Sequence, residues 1–333
     1  MTTFGLFIQI LIMQFKTKGV VLISVLLTVL LLSSVAVLIG NNYFVSFKRA
    51  QFLEFRSVSL NIFTSIESLA LKKIDNELRF NPSLHSKNNS LFTNNFSFEI
   101  KNGFVNGKII DSSNCFNINS LVTKARNNYI PNKDNINVFR RLMALEKIET
   151  NLVDEAIDQI IDWIDTDLNP RAFGYEDYYY SGPLNSLKEY TSGRIFFDLE
   201  EIKSLPAIRA IGWEIFNQYF CALPHNKLSI NINTIPKKQA LLLSSIFEKL
   251  SYDDAEFIID NIPLDGLKNF NDLNSLFLSY ELDIPKKYIK FSSSNFELIT
   301  SFSYENYSSE AITRIFYTTN NNSYITSRIY NGI

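Results

Sequence analysis

The chain has 333 residues, and its 32 Lys+Arg against 34 Asp+Glu leave a formal charge of −2 with an isoelectric point near 5.9. A near-neutral chain has no general electrostatic pull toward nucleic acid or anionic lipid, so a nucleic-acid partner is not expected. Hydrophobic residues make up 46% of the sequence while the mean hydropathy is close to zero, which argues against a polytopic membrane protein and requires the apolar residues to be concentrated somewhere.

They are concentrated near the start. Residues 20–39 read VVLISVLLTVLLLSSVAVLI without a charge, and about 20 helical residues at roughly 1.5 Å each cross a hydrocarbon core. Lys16 and Lys18 precede the run, so the positive-inside rule keeps the leader in the cytoplasm and sends the bulk of the chain across; Lys48 and Arg49 weaken this asymmetry without reversing it. A cleavable secretory signal is the competing reading, but its apolar core should be shorter and no Ala-x-Ala site follows. Lys16-Thr-Lys-Gly19 before Val20 has instead the form of a prepilin-type leader over residues 1–19, cut after Gly19 so that the apolar helix is kept as an anchor. Pilin-like proteins usually carry glutamate at the fifth mature position, whereas this chain has Ser24. Residues 4–13 are apolar for such a leader, and initiation at Met13 would give a short basic one; Met13 is therefore the suspected true start.

Past Gly40, Phe44, Phe47, Phe55, Val58, Ile62, Ile66 and Leu69 are spaced as one helical face, which predicts that the helix continues to about residue 78 and occupies 20–80. A break at Asn81-Pro82 opens a first β region over 81–121, where the runs 96–100 and 104–110, separated by Lys-Asn-Gly, read as a hairpin. The end of the chain, 291–333, carries β-branched and aromatic runs at 296–304, 311–318 and 324–330, predicting a three-stranded meander. Between them, 122–290 reads as mostly helical. The expected class is α+β: a pilin-like fold, with a long N-terminal helix on an antiparallel sheet, interrupted by a large helical domain.

That insertion repeats itself. Phe116-Asn-Ile-Asn-Ser-Leu121 matches Ile230-Asn-Ile-Asn-Thr-Ile235, and Phe196-Phe-Asp-Leu-Glu-Glu-Ile202 matches Phe270-Asn-Asp-Leu-Asn-Ser-Leu276. Asn and Ser/Thr before a helix accept hydrogen bonds from its free amides. A duplicated module of SAM-like or helix-hairpin-helix-like type is the preferred reading, and chance in an Asn-rich chain is the alternative. The helix-hairpin-helix likeness does not extend to DNA binding, because no Gly-x-Gly hairpin with flanking basic residues is present.

Residues 162–180 form the most chemically pointed segment. With Asp165 as position 1, Asp167 is 3, Asn169 is 5 and Glu176 is 12, the oxygen-ligand spacing of an EF-hand loop and a donor set suited to calcium. Pro170 stands where that loop needs glycine, so a cation-wrapping loop is predicted rather than a true EF-hand. Asp165, Asp167, Glu176 and Asp177 have only Arg171 among them as a counterion, a repulsion that a divalent ion would relieve; a solvated acidic turn is the alternative. Zinc does not fit a segment without His or Cys. Cys115 and Cys221 are the two cysteines, readable as a disulfide in an oxidising compartment or as two buried thiols. His85 and His225 lie in polar loop contexts, and no nucleophile, phosphate-loop or acid-base pattern accompanies them, so no enzyme is expected.

Together the Lys-Gly leader, the missing fifth-position glutamate, Asn114-Cys-Phe-Asn-Ile-Asn-Ser120, Asp162-Trp-Ile-Asp-Thr-Asp167 with Glu176-Asp177-Tyr-Tyr179, Asp198-Leu-Glu-Glu-Ile202 and Ile230-Asn-Ile-Asn-Thr234 resemble the type II secretion system protein K family of large minor pseudopilins over essentially the whole chain. The resemblance implies a place at the tip of the periplasmic pseudopilus with minor pseudopilins I and J, and H beneath them. It also implies an inner-membrane anchor processed by prepilin peptidase and methylated, a role in priming pseudopilus assembly on the inner-membrane platform, and calcium at Asp165, Asp167, Glu176 and Asp177. The secretin and secreted cargo are further candidate partners. A subunit at the tip has no neighbour above whose N-terminal amine a fifth-position carboxylate could pair with, and a neutral Ser24 avoids a costly unpaired carboxylate in lipid. The rival readings are a minor pilin or adhesin of a type IV pilus, and a membrane-anchored periplasmic hydrolase using the acidic loop.

Overall fold

The computed structural model describes residues 3–80, 85–100, 103–183, 186–277, 284–318 and 322–333, with side chains from Val20 onward and Phe277 apart. The side chains of the leader, including Gly19 and Met13, lie outside the described residues, as do the Asn81-Pro82 break and Lys101-Asn102 of the hairpin turn. The chain divides into two compact units, one of residues 1–61 with 333 and one of residues 62–332.

The N-terminal helix, Thr3–Phe80, carries the apolar run in the part that belongs to the first unit, with every side chain from Val20 to Ile39 exposed. Among the described residues it is the one helix long and apolar enough to cross a membrane. Three of its hydroxyls are satisfied within the helix: Ser24 Oγ, Thr28 Oγ1 and Ser34 Oγ each donate at 2.8 Å to the carbonyl three residues back. An apolar surround therefore meets no unpaired polar group from them.

In the second unit, residues 62–80 of the helix lie on a five-stranded antiparallel sheet ordered β1 (Phe96–Ile100), β2 (Gly103–Asp111), β3 (Asn295–Tyr304), β4 (Tyr307–Tyr317) and β5 (Ser323–Asn331). The hairpin and the meander, far apart in sequence, are joined through β2 and β3, with Gly103 opposite Tyr304 and Ile109 opposite Leu298. Alternation places Val105, Ile109, Phe296, Leu298, Phe302, Ala311 and Ile315 in the core. Gly107 lets the Phe96 ring from β1 lie across it, since a Cβ there would sit 1.9 Å from that ring and displace it.

The buried helix face agrees with the expected stripe at Phe55 and Ile66 and departs from it elsewhere. It runs Phe63, Ile66, Glu67, Ala70, Ile74, Leu78, while Leu69 is 59% exposed and Phe44 and Phe47 are exposed too. The stripe was obscured by a charge within it: Glu67 is buried because Arg328 Nε and Thr313 Oγ1 bind its carboxylate.

The insertion is helical, as expected, over Lys133–Leu145, Thr150–Ile164, Pro206–Ile211, Trp213–Tyr219, Ala240–Ile246, Tyr252–Asn261 and Phe270–Phe277. It does not begin as helix, however. Val122–Ala125 pairs with Asn128–Pro131 in an antiparallel ribbon. The helices Pro206–Ile211 and Trp213–Tyr219 are separated at Gly212, whose φ of 107° a side chain would resist. The repeated Asn motifs each start a two-residue parallel pair: Phe116–Asn117 with Phe220–Cys221, and Ile230–Asn231 with Ile289–Lys290.

The second repeated pattern recurs in structure, but its register is displaced by three residues from the sequence match. Asp198 caps a 3-10 helix at Glu200 N, and Glu201 accepts from Phe197 N and Asp198 N. The matching cap is Asn269, which accepts from Asn271 N and Asp272 N, while Asp272 accepts from Lys268 N. Asp272 thus corresponds to Glu201, not to Asp198. Hydrophobic matching hid this because Asp and Asn both serve as caps.

Candidate metal centre

The Thr150–Ile164 helix ends in the acidic loop. Asp165 is its C-cap, with its N–H on Ile161 O at 2.9 Å, and the Trp163 carbonyl is held by Ser192 N, Gly193 N and Ser192 Oγ. The loop then folds back over the helix: Arg171 N donates to Asp162 Oδ2 at 2.9 Å, Arg171 Nε pairs with Asp158 Oδ1 at 3.0 Å, and Phe173 N donates to Asp158 Oδ2. Gly174 makes this closure possible, since a Cβ there would lie 1.8 Å from Asp162 Oδ2. Stacked Tyr175 and Tyr179, 3.9 Å between centroids, and an edge-on Trp163–Tyr180 pair give the returning chain an aromatic floor.

This arrangement brings together one oxygen each from Asp165, Asp167 and Glu176, all within 4.8 Å of one another. Oxygens on opposite sides of a calcium ion at 2.3–2.6 Å are separated by about that much. Asp165 Oδ1 and both oxygens of Glu176 are buried without a hydrogen-bond partner, and so is Oδ1 of Asp162, which is fully buried. Burial, reinforced by the neighbouring carboxylates, pushes Asp162 up to about 6, Asp165 to about 7 and Glu176 to about 8. Acceptor-only groups held dry without donors are what a hard divalent cation satisfies, and this donor set fits calcium.

Of the four carboxylates expected there, Asp177 is not brought into the group: its Oδ1 accepts from Thr191 N at 2.7 Å and Thr191 Oγ1 at 2.8 Å, which ties down the segment after the loop. Asn169 directs its backbone N–H to Asp167 Oδ1 at 3.0 Å. Two participants escaped the sequence reading. Asp162 precedes Asp165 by three residues, one helical turn, a spacing that could have flagged it. Asn128, which donates to Asp167 Oδ2 at 3.2 Å, carries no local signal at all.

The other sequence candidates fall elsewhere. Cys115 and Cys221 are joined by a disulfide, Cα–Cα 5.8 Å, beside the first parallel pair. His85 is buried and its Nδ1 accepts from Ser293 N; His225 Nδ1 accepts from Lys227 N, and burial holds this imidazole below its ordinary value.

Comparison with known proteins points one way. The family model described as Type II secretion system (T2SS), protein K matches residues 114–225, a span containing both cysteines and the whole acidic loop. The Type II secretion system protein K of Aeromonas hydrophila is 28% identical over 261 residues, covering 73% of this chain and 76% of that protein. That of Pectobacterium carotovorum subsp. carotovorum is 26% identical over 262 residues, 76% of this chain and 78% of its own. The fold is shared with a chain in the crystal structure of the GspK-GspI-GspJ complex from the enterotoxigenic Escherichia coli Type 2 Secretion System. The TM-score is 0.72 at 18% identity, over 85% of this chain and 99% of that one.

Proposed function

From its membership of the type II secretion system protein K family, as a minor pseudopilin of that system, we propose that the chain caps the pseudopilus tip and primes assembly of the filament that exports folded proteins across the outer membrane. The observation that carries this reading is the insertion between β2 and β3, on which the protein K match falls. A pilin-like subunit repeated along a thin filament must stack through its helix and leave its sheet in a narrow layer. A helical domain of this bulk suits an end position.

Minor pseudopilins I and J are the expected partners, a reading supported by the complex in which the similar fold occurs, with H beneath them. The apolar helix anchors the chain in the inner membrane, leader in the cytoplasm and globular part in the periplasm, until the assembly platform takes it up after prepilin peptidase acts at Gly19. Ser24, whose hydroxyl is already bonded to Val21 O, needs no subunit above it. Calcium is the cation proposed for the acidic loop. Asp165, Asp167 and Glu176 would hold it, with Asp162 the further buried carboxylate. One ion there links the end of the Thr150–Ile164 helix to the start of the Asp177–Tyr180 helix.

Deletion of the gene, with assays of secreted enzymes and of surface pili, tests the reading. Loss of secretion with piliation intact is expected. Normal secretion with lost piliation overturns it in favour of a pilus role. Affinity purification of the tagged full chain from membranes should bring down I and J; their absence removes the tip-complex part.

A further inference from the structure

Asp167 is the most exposed of the three clustered carboxylates, so packing alone does not set its rotamer. Two hydrogen bonds do: Asn169 N on Oδ1 and Asn128 Nδ2 on Oδ2. Asn128 lies nearly forty residues away in sequence, on the ribbon Val122–Ala125/Asn128–Pro131. Its carboxamide works in both directions. Oδ1 accepts from Thr166 N at 2.9 Å, from Thr166 Oγ1 at 3.0 Å and from Tyr129 N at 2.7 Å, while Nδ2 reaches Asp167.

The ribbon has little else to hold its turn. Each strand has four residues, Thr123, Lys124, Arg126, Asn127 and Ile130 are exposed, and Arg126 turns the chain at a φ of 52°. A two-stranded hairpin of this length is marginal on its own. Its base is fixed by Asn132 N on Leu121 O, but near its turn the hydrogen bonds to the rest of the insertion run to Thr166 and Asp167.

We propose that Asn128 is a positioning residue for the cation, holding Asp167 in its ligating orientation, and that the cation in turn orders the ribbon through the same contact. The inference rests on the calcium reading above and deepens it. The two halves are linked thermodynamically: a side chain that improves ion binding by a given factor is itself held more firmly by that factor when the ion is bound. Partners behind metal ligands typically change affinity 10- to 100-fold when removed.

The test uses the full chain in detergent. Calorimetric titration with CaCl2 gives the affinity, and hydrogen exchange over residues 122–131 gives the order of the ribbon. In the wild type, calcium should slow exchange in the ribbon about tenfold or more. Asn128→Ala should weaken calcium binding by about tenfold and lose the calcium-dependent protection even at saturation. Thr166→Ala, which removes a contact to Asn128 without touching Asp167, should keep the affinity within about twofold. A folded Asn128→Ala protein that binds calcium as tightly as wild type overturns the positioning role. Wild-type binding without any change in ribbon exchange overturns the coupling. If Asn128→Ala does not fold, Asn128→Ser, which shortens the donor beyond reach of Asp167, is scored by the same two measurements. No calcium binding by the wild type removes the calcium reading and this inference with it, whereas the other failures leave that reading standing.

Discussion

Asn119 and Asn233 make the same three hydrogen bonds in the two halves of the insertion. Asn119 Oδ1 accepts from Phe196 N at 2.8 Å and its Nδ2 donates to Phe196 O and Leu223 O, both at 2.9 Å. Asn233 Oδ1 accepts from Leu267 N at 2.7 Å and its Nδ2 donates to Leu267 O at 3.0 Å and Phe291 O at 3.3 Å. Both side chains are fully buried. Each one satisfies the backbone of a segment that belongs to neither helix nor strand, pinning it to the turn after the parallel pair.

Removing either carboxamide leaves two buried backbone groups without partners, Phe196 N and O or Leu267 N and O, while Leu223 O and Phe291 O keep the bonds they accept from His225 N and His85 N. Asn119→Ala and Asn233→Ala should each lose about 3 kcal/mol, several times the net worth of a single satisfied bond. Asn119→Asp should be nearly as damaging despite equal size, because a carboxylate cannot donate to two carbonyls. Chemical denaturation of the full chain in detergent measures this. An Asp variant as stable as wild type would show that the donors carry no weight.

Arg328 Nε lies 3.0 Å from both oxygens of Glu67, and Thr313 Oγ1 adds a bond at 2.8 Å. Glu67 is 3% exposed against 44% for Arg328, so the desolvation cost falls on the carboxylate. Arg328→Ala should cost about 2–3 kcal/mol, by leaving a buried charge with one hydroxyl. Replacing both, as Glu67→Leu with Arg328→Leu, should cost less than the single change. Equal losses in thermal melts of the two variants would place the stabilisation in packing rather than charge.

The sheet was legible because its strands are long enough to alternate, and the long apolar helix because twenty uncharged residues in a row have few other uses. What stayed hidden was short or polar. Two-residue parallel pairs leave no periodicity, and the Val122–Pro131 ribbon carries Lys124 and Arg126 at its tip rather than an apolar face. The clustering of Asp165, Asp167 and Glu176 was readable because a loop that turns back on itself gathers carboxylates at this spacing. Asn128 was not, because its proximity to Asp167 is created by the fold. Asp177 lies outside the group for the converse reason: nearness in sequence to Glu176 says nothing about which way its side chain turns, and its Oδ1 accepts from Thr191.

The disulfide between Cys115 and Cys221 closes a loop with a sequence separation of 106. By loop-closure entropy such a crosslink contributes up to about 4–5 kcal/mol. The Cys115→Ser, Cys221→Ser double variant should therefore melt well below wild type, and reductant should lower the wild-type melting temperature while leaving the double variant unchanged. Two thiols labelled in unreduced native protein would exclude the bond.

The acidic loop should make stability fall with rising pH in the absence of calcium and hold nearly level in its presence. Asp162, Asp165 and Glu176 are raised in the fold to about 6, 7 and 8 from ordinary values near 4. Between about pH 4 and pH 8 the native chain without metal therefore binds more protons than the unfolded one, and its stability falls as pH rises through that window. Calcium competes with those protons and binds the carboxylates, so its contribution should grow over the same window. Melting of the full chain at pH 5 and pH 8, with CaCl2 or with chelator, should show a calcium shift that is small at pH 5 and large at pH 8. Asp165→Ala with Asp167→Ala should abolish the shift at both. A shift of equal size at the two pH values would mean that these buried carboxylates are not the ligands, and an unchanged melt in wild type would rule out a structural ion.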